Sequence, residues 1–332
     1  MINIPIVSRL ATAATLWLDS YAGDSQKECK DEGLDWVRVI PFMLLHLGCF
    51  AVIWVGCSWW AAGFAALLYV VRMFAITGIY HRYFSHRTYK LNRFWQFMAG
   101  VLGNTSAQRG PLWWAAHHRH HHRYSDEAED IHSPKQRGFW WSHMFWFLGK
   151  SNFRTHSELI PDLTKFPELV WLDRFDILVP LIAGIASWYM GYALELAGFH
   201  TSGAQFLVWF FISTVAVAHG TFTINSLSHV FGSRRFNTTD TSRNNFLLAL
   251  ITLGEGWHNN HHHFQSTVRQ GFRWYEIDMT WYTLVALSWF GITRDLKGIP
   301  QAVRDQMDQL ENPAPATAPT VVTSLLKRPD PA

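Results

Sequence analysis

Apolar residues in this chain gather in long runs rather than at helical or strand spacing, and charged residues collect between the runs. Val39 to Trp59 carries no charged side chain and is long enough to cross a bilayer core of about 30 Å as a helix. A second run, Ala61 to Tyr80, is interrupted only by Arg72. A third extends from Ile177 to Gly198, with Glu195 near its end, and a fourth from Gly203 to Ile224. This pattern predicts four transmembrane helices arranged as two hairpins.

The turns near Trp60 and over Phe199 to Ser202 contain no Lys or Arg, whereas basic residues crowd Arg82 to Arg93, Arg109 to Lys165 and Arg234 to Arg243. The positive-inside rule then places both termini and the central region in the cytoplasm, and the chain in the cell inner membrane. Residues 1–38 are expected to form a cytoplasmic segment rather than a cleaved signal peptide. Its only basic residue before the weak apolar stretch is Arg9, and Ile6, Leu10, Ala13 and Trp17 lie along one side of a possible interfacial helix. Residues 39–311 form the expected membrane domain, and the Pro- and Ala-rich tail, 312–332, is expected to be disordered.

At 332 residues and 49% hydrophobic, the chain has a composition that a soluble protein also reaches; the concentration of apolar residues is what points to the membrane. Cys29, Cys49 and Cys57 show no metal or redox spacing and are read as packing residues. Arg72 falls about 13 Å into the second span when counted back from His81 at the α-helical rise. A cation at that depth must be paired or hydrated. It is expected to bond polar groups of span four such as Ser213, Thr214 or Thr221; the alternative is snorkelling towards the surface.

The chemistry is carried by histidine. Of 18 in the chain, eight stand at the spaced positions of three boxes: His81 and His86 in HRYFSH, His118, His121 and His122 in HRHHH, and His258, His261 and His262 in HNNHH. Residues at i and i+4 of a helix lie one above the other and can chelate one ion, as His118 with His122 and His258 with His262. The third ring of each box, His121 or His261, is rotated by about 100° from its neighbour and reaches a second ion. Two copies of HxxHH therefore predict a shared dinuclear centre. His81 and His86 do not share a face of a straight α-helix and are expected to straddle a helix end. A purification tag would explain one histidine tract, but this one lies mid-chain and the motif recurs far downstream. All three boxes follow spans or lie between them on the cytoplasmic side, so they can meet.

Seven tryptophans lie near the boxes: Trp113, Trp114, Trp140, Trp141, Trp146, Trp274 and Trp281. They read as an aromatic belt at the membrane surface, some of them as the lining of an acyl-chain tunnel.

The order HxxxxH, HxxHH, HxxHH, together with Asn225-Ser226-Leu227-Ser228-His229 and Gly254-Glu255-Gly256-Trp257-His258-Asn259, resembles the membrane-bound fatty acid desaturases of the Δ9 type. The resemblance runs from Arg72 to Trp281. It implies an all-α integral membrane protein of four transmembrane helices with a cytoplasmic helical cap over a dimetal site. It also implies a di-iron oxidoreductase that uses dioxygen (O2) and two electrons to place a cis double bond in a saturated acyl chain. One Fe2+ would be held by His81, His86, His118, His122 and His261, the other by His121, His229, His258 and His262, with Asn225 reaching it through a water. His117, His120 and His263 fall outside that pattern and read as surface polar residues, the alternative being groups that stand behind the ligand rings. Asp126, Asp130 and Glu255 lie close enough to the boxes to accept hydrogen bonds from ligand rings; ordinary solvated charge is the alternative.

No haem, iron-sulfur or flavin motif is found in the chain, so electrons are expected from an external donor of ferredoxin, rubredoxin or cytochrome b5 type. Arg234, Arg235, Lys135 and Arg137 would either guide such a donor or hold anionic membrane lipids. The substrate is a fatty acyl chain on coenzyme A or on a lipid. Animal acyl-CoA enzymes of the family carry a basic and then an acidic residue where this chain has Ala116 and His117, which weakens the coenzyme A reading. No nucleic-acid partner is expected. Alkane hydroxylases, metal transporters and haem proteins are the competing classes. Transporters should place histidines within the spans, and a haem needs facing axial rings, for which only His46 and His219 are placed.

Overall fold

The computed structural model describes residues 6–312, which contain helices and isolated bridges but no named strand. The helices in chain order are α1 Ile6–Leu18, α2 Trp36–Cys49, α3 Val52–Val55, α4 Trp59–Phe74, α5 Arg93–Asn104, α6 Pro111–Tyr124, α7 Pro134–Arg137 and α8 Pro161–Thr164. They continue with α9 Pro167–Arg174, α10 Leu178–Leu196, α11 Gly203–Asn225, α12 Phe246–Ile251, α13 His258–His263, α14 Met279–Trp289 and α15 Gln301–Glu311. Residues Met1–Ile299 form one compact unit and Pro300–Ala332 a second. The tail read as disordered, 312–332, lies outside the described residues except for Asn312.

Among the described residues, four segments are long and apolar enough to cross a membrane: Trp36–Val55, Trp59–Ser85, Leu178–Leu196 and Gly203–His229. Their outer faces are apolar and uncovered. Trp54, Trp59 and Ile182 are 79%, 93% and 64% exposed, which in water would be an unpaid surface of large hydrophobes but is the expected lipid-facing pattern. Span one is not one continuous helix, because the chain kinks at Phe50 and Ala51 between α2 and α3. Span two ends five residues later than its apolar run predicts, since the helix carries on through the first histidine box.

The fourth span is the hub, with α2, α4 and α10 all packed along α11. Glycine permits the tightest approach: a Cβ on Gly191 would lie 2.6 Å from the Ser202 carbonyl oxygen, and one on Gly203 would lie 2.8 Å from that of Trp188. Arg72 of α4 is buried against α11 and donates from Nη1 to Thr214 Oγ1 at 2.7 Å, with its guanidinium 4.1 Å from the Phe210 ring centroid. Of the two readings given above, bonding across spans is the one found. Beneath the spans, Tyr80, Phe84, Leu112, Ala115, Leu169 and Leu172 form a buried cluster that fixes the end of span two against α6 and α9.

Candidate metal centre

Span two ends in a π-helix over Ala75–Ser85, with His86 as its C-cap. A π-turn pairs i with i+5, which is the HxxxxH spacing: the His86 amide donates to the His81 carbonyl at 3.2 Å. The two rings straddle a helix end, and the widened turn also gives them a common face that a straight α-helix denies them. The second box rides on α6, the third on α13, and His229 on the short 3-10 turn that follows α11.

The rings fall into two groups whose ligand atoms lie within 4.8 Å of one another: His81, His86, His118, His122 and His261, and separately His121, His229, His258 and His262. In the first group Nε2 atoms converge, at 3.1 Å for His81 with His86, 2.8 Å for His86 with His118, 3.0 Å for His81 with His261 and 2.9 Å for His261 with His122. In the second, His229 and His258 approach at 3.1 Å through Nε2. Asn225 ends α11 and lines a small cavity with His81, His118, His121 and His258.

Carboxylates stand behind several rings. Glu255 is 2.5 Å from His81 Nδ1, Asp130 is 3.0 Å from His121 Nδ1 and Asp126 is 3.3 Å from His229 Nδ1. Asp240 is 2.6 Å from His262 Nδ1. Burial alone would raise these acids, but the facing imidazoles and hydroxyls hold Asp126, Asp130 and Asp240 well below the usual carboxylate range. Burial also drives His86, His118, His122, His258 and His261 far below the normal imidazole value, with neighbouring rings adding to the effect. His262 is pushed down to about 4 by burial, against the pull of Asp240. His121 is raised, because Asp130 outweighs its burial.

A metal pair fits these residues. Neutral rings turn several lone pairs on one point, where they repel unless a cation stands between them, and the Nδ1 atoms that face carboxylates are set to donate. The charge balance is reinforced by Arg82, fully buried, which pairs with Glu255 at 3.0 Å and Asp278 at 2.9 Å. One polar link thereby ties the first box to the chain around the third.

Beside the rings opens an apolar cavity of about 340 Å³ that reaches His118 and Asn225 and extends along α2, α10 and α11. Trp113, Trp114 and Trp146 line it, whereas Trp140 and Trp274 are exposed as the belt reading predicts. His117 is 2% exposed and lines the same cavity, so the surface reading of this residue is wrong: it faces inward on α6. Cys29 and Cys57 are exposed rather than packed. Of the proposed donor-guiding cations, Arg137 pairs with Glu32 at 2.8 Å and Arg235 with Glu276 at 2.6 Å.

Sequence reasoning missed Asp240, which is far from the third box in sequence and carries no motif signal, and Arg82, whose partners are more than 170 positions away. It placed His46 and His219 as possible facing rings but missed the chain across the spans that they begin. His46 Nε2 meets His219 Nε2 at 3.1 Å, His219 Nδ1 meets His143 Nε2 at 3.0 Å, and His143 Nδ1 meets Ser226 Oγ at 3.0 Å.

Comparison with known proteins agrees with this geometry. The sequence profile of the fatty acid desaturases matches residues 58–289. The chain is 34% identical over 270 residues to an sn-1 stearoyl-lipid 9-desaturase of Anabaena variabilis, covering 80% of this chain and 94% of that protein. It is 34% identical to a Delta-9 acyl-lipid desaturase of Arabidopsis thaliana, covering 84% and 89%, and 33% identical to an acyl-CoA 5-desaturase of Anemone leveillei, covering 85% and 88%.

Proposed function

This chain belongs to the fatty acid desaturase family and is a fatty acyl desaturase; we propose that it places a cis double bond at Δ9 of a saturated chain, with two Fe2+ held by the nine grouped histidines and Asn225 joining the second through a water. The single observation that carries this reading is the convergence of two ring groups beside one apolar cavity. Relatives named for position 9 support the regiochemistry. The relatives differ in carrier, acyl-lipid in some and acyl-CoA in another, and both remain within this proposal.

An unactivated methylene offers nothing for an acid, base or nucleophile to grasp; two irons held by the nine histidines would supply, with O2, the oxidising chemistry that removes its hydrogens. The chain's own residues do the rest. The cavity holds the acyl chain extended past His118 and Asn225, so that position along the chain is chosen by geometry. Its apolar walls exclude water from the reacting carbons. Glu255, Asp126, Asp130 and Asp240 hold their rings in one tautomer, with Nδ1–H outward and Nε2 towards the metal.

The reading places both termini and the centre on the cytoplasmic face of the inner membrane, with the spans as two hairpins, and draws its electrons from a separate ferredoxin, rubredoxin or cytochrome b5 type protein. Expression in a host of defined lipids, followed by gas chromatography of the fatty acid methyl esters, tests it. New cis-Δ9 monoenes are expected. Hydroxylated chains would support a membrane di-iron hydroxylase instead.

A further inference from the structure

The large cavity has two chemically different ends. One, among the spans, is apolar: Leu45, Leu181, Phe210 and Phe211 line it. The other, beneath the cytoplasmic ends of α2 and α10, gathers polar atoms that have no partner. Trp146 Nε1 and His117 Nε2 are both buried, at 7% and 2% exposure, and neither makes a hydrogen bond. A buried polar group left without a partner is destabilising. The indole N–H requires an oxygen acceptor. His117 donates from Nδ1 to the Trp113 carbonyl at 2.9 Å, which leaves Nε2 as an acceptor that requires a donor.

Charge at this end is balanced. Arg38 and Arg109 both stack on the Phe153 ring, at 3.2 and 3.7 Å to its centroid, and each has a carboxylate: Arg38 pairs with Asp35, and Arg109 with Asp176 at 2.8 Å. Cations in the flanking segments are matched as well, Lys150 with Asp31, Arg154 with Glu158 and Arg174 with Asp19. A ligand bearing several phosphates would find no surplus positive field here. An uncharged ester would find its acceptor and donor partners. The side wall adds a second constraint. Helices α2 and α10 both line the cavity and both pack on α11, yet scarcely touch each other, and Leu181 of α10 lines the cavity while being half exposed on the apolar outer surface.

We propose that the polar end binds the ester of a membrane glycerolipid, with Trp146 Nε1–H donating to the ester carbonyl and His117 accepting from a headgroup or glycerol hydroxyl or ammonium group, and that the acyl chain enters sideways between α2 and α10. This site rests on the desaturase reading, of which it names the carrier. Phosphatidylcholine and acyl coenzyme A probes, each with a diazirine in the acyl chain, are photo-crosslinked to the metal-loaded full chain in proteoliposomes and mapped by mass spectrometry. The phosphatidylcholine probe is expected to label α2, α10 and α11. Trp146→Phe, which keeps an aromatic side chain but removes the N–H with the pyrrole half of the indole, should cut labelling at least fivefold with metal content unchanged. Leu181→Trp, which narrows the gap at the lipid surface, should cut it similarly. Labelling by the coenzyme A probe alone, labelling confined to cytoplasmic loops, or equal labelling of wild type and Trp146→Phe would overturn the proposal. Crosslinking needs no turnover, so a failed desaturation assay with successful lipid labelling would sink the desaturase reading and leave this site standing.

Discussion

The two ring groups are built on different principles. The first has five imidazoles, and among the described residues Glu255 is the one carboxylate that pairs with any of them, through His81. The second has four, of which three face carboxylates: Asp130, Asp126 and Asp240. Five converging nitrogens hold an ion by number. Four hold it with anionic support, which makes each ring a stronger donor and stabilises charge on the metal. The second group has one ring fewer and lies near Asn225, which lines the large cavity together with His118, so an ion held there would have fewer protein ligands. On the proposed di-iron reading, the first group would serve retention and the second the more open coordination.

The sharpest way to break this comparison is to remove a ring. His261→Ala should abolish product while the protein still inserts, because His261 Nε2 approaches two partners, His81 and His122; monoene analysis alongside membrane fractionation checks it. Next comes the anionic support. Asp240→Asn should lower activity by about 10- to 100-fold, the range for loss of a partner behind a metal-bound histidine, and metal titration should show the loss in one ion only. Glu255→Gln should cost less, a few-fold, because the amide still accepts from neighbours, Asp278 remains on Arg82 and four other rings remain in the group. The smallest effect is expected far from both groups. Arg72→Leu removes a buried cation that makes one hydrogen bond and stacks on Phe210, and replacing a buried charge by an apolar side chain is often neutral; expression and thermal midpoint should change little, and a midpoint lowered by 10 °C or more would mean that the cross-span bond bears weight.

Much of the site was legible because helical spacing is a local rule. The i,i+4 pairs His118 with His122 and His258 with His262 each stay within one group, while His121 and His261 cross to the other. The spans were legible from uninterrupted apolar runs. What escaped was set by tertiary proximity or by departures from the α-helix. Asp240 reaches His262 only because the chain folds back, and the inward face of His117 follows from the packing of α6 rather than from its place in a histidine tract. The π-turn at His81 was half visible: its spacing ruled out a regular helix face but did not say that the helix would widen. The kink at Phe50 and Ala51 carries no proline or glycine and left no trace in the apolar pattern.

Counting metal in the purified chain and in Asp240→Asn tests the central claim most directly. Protein extracted in detergent and loaded with ferrous iron should hold two non-haem irons per chain, and the variant should lose one of them while the five-ring group keeps the other. One iron in the wild type, or loss of both from the variant, would contradict two separately supported sites.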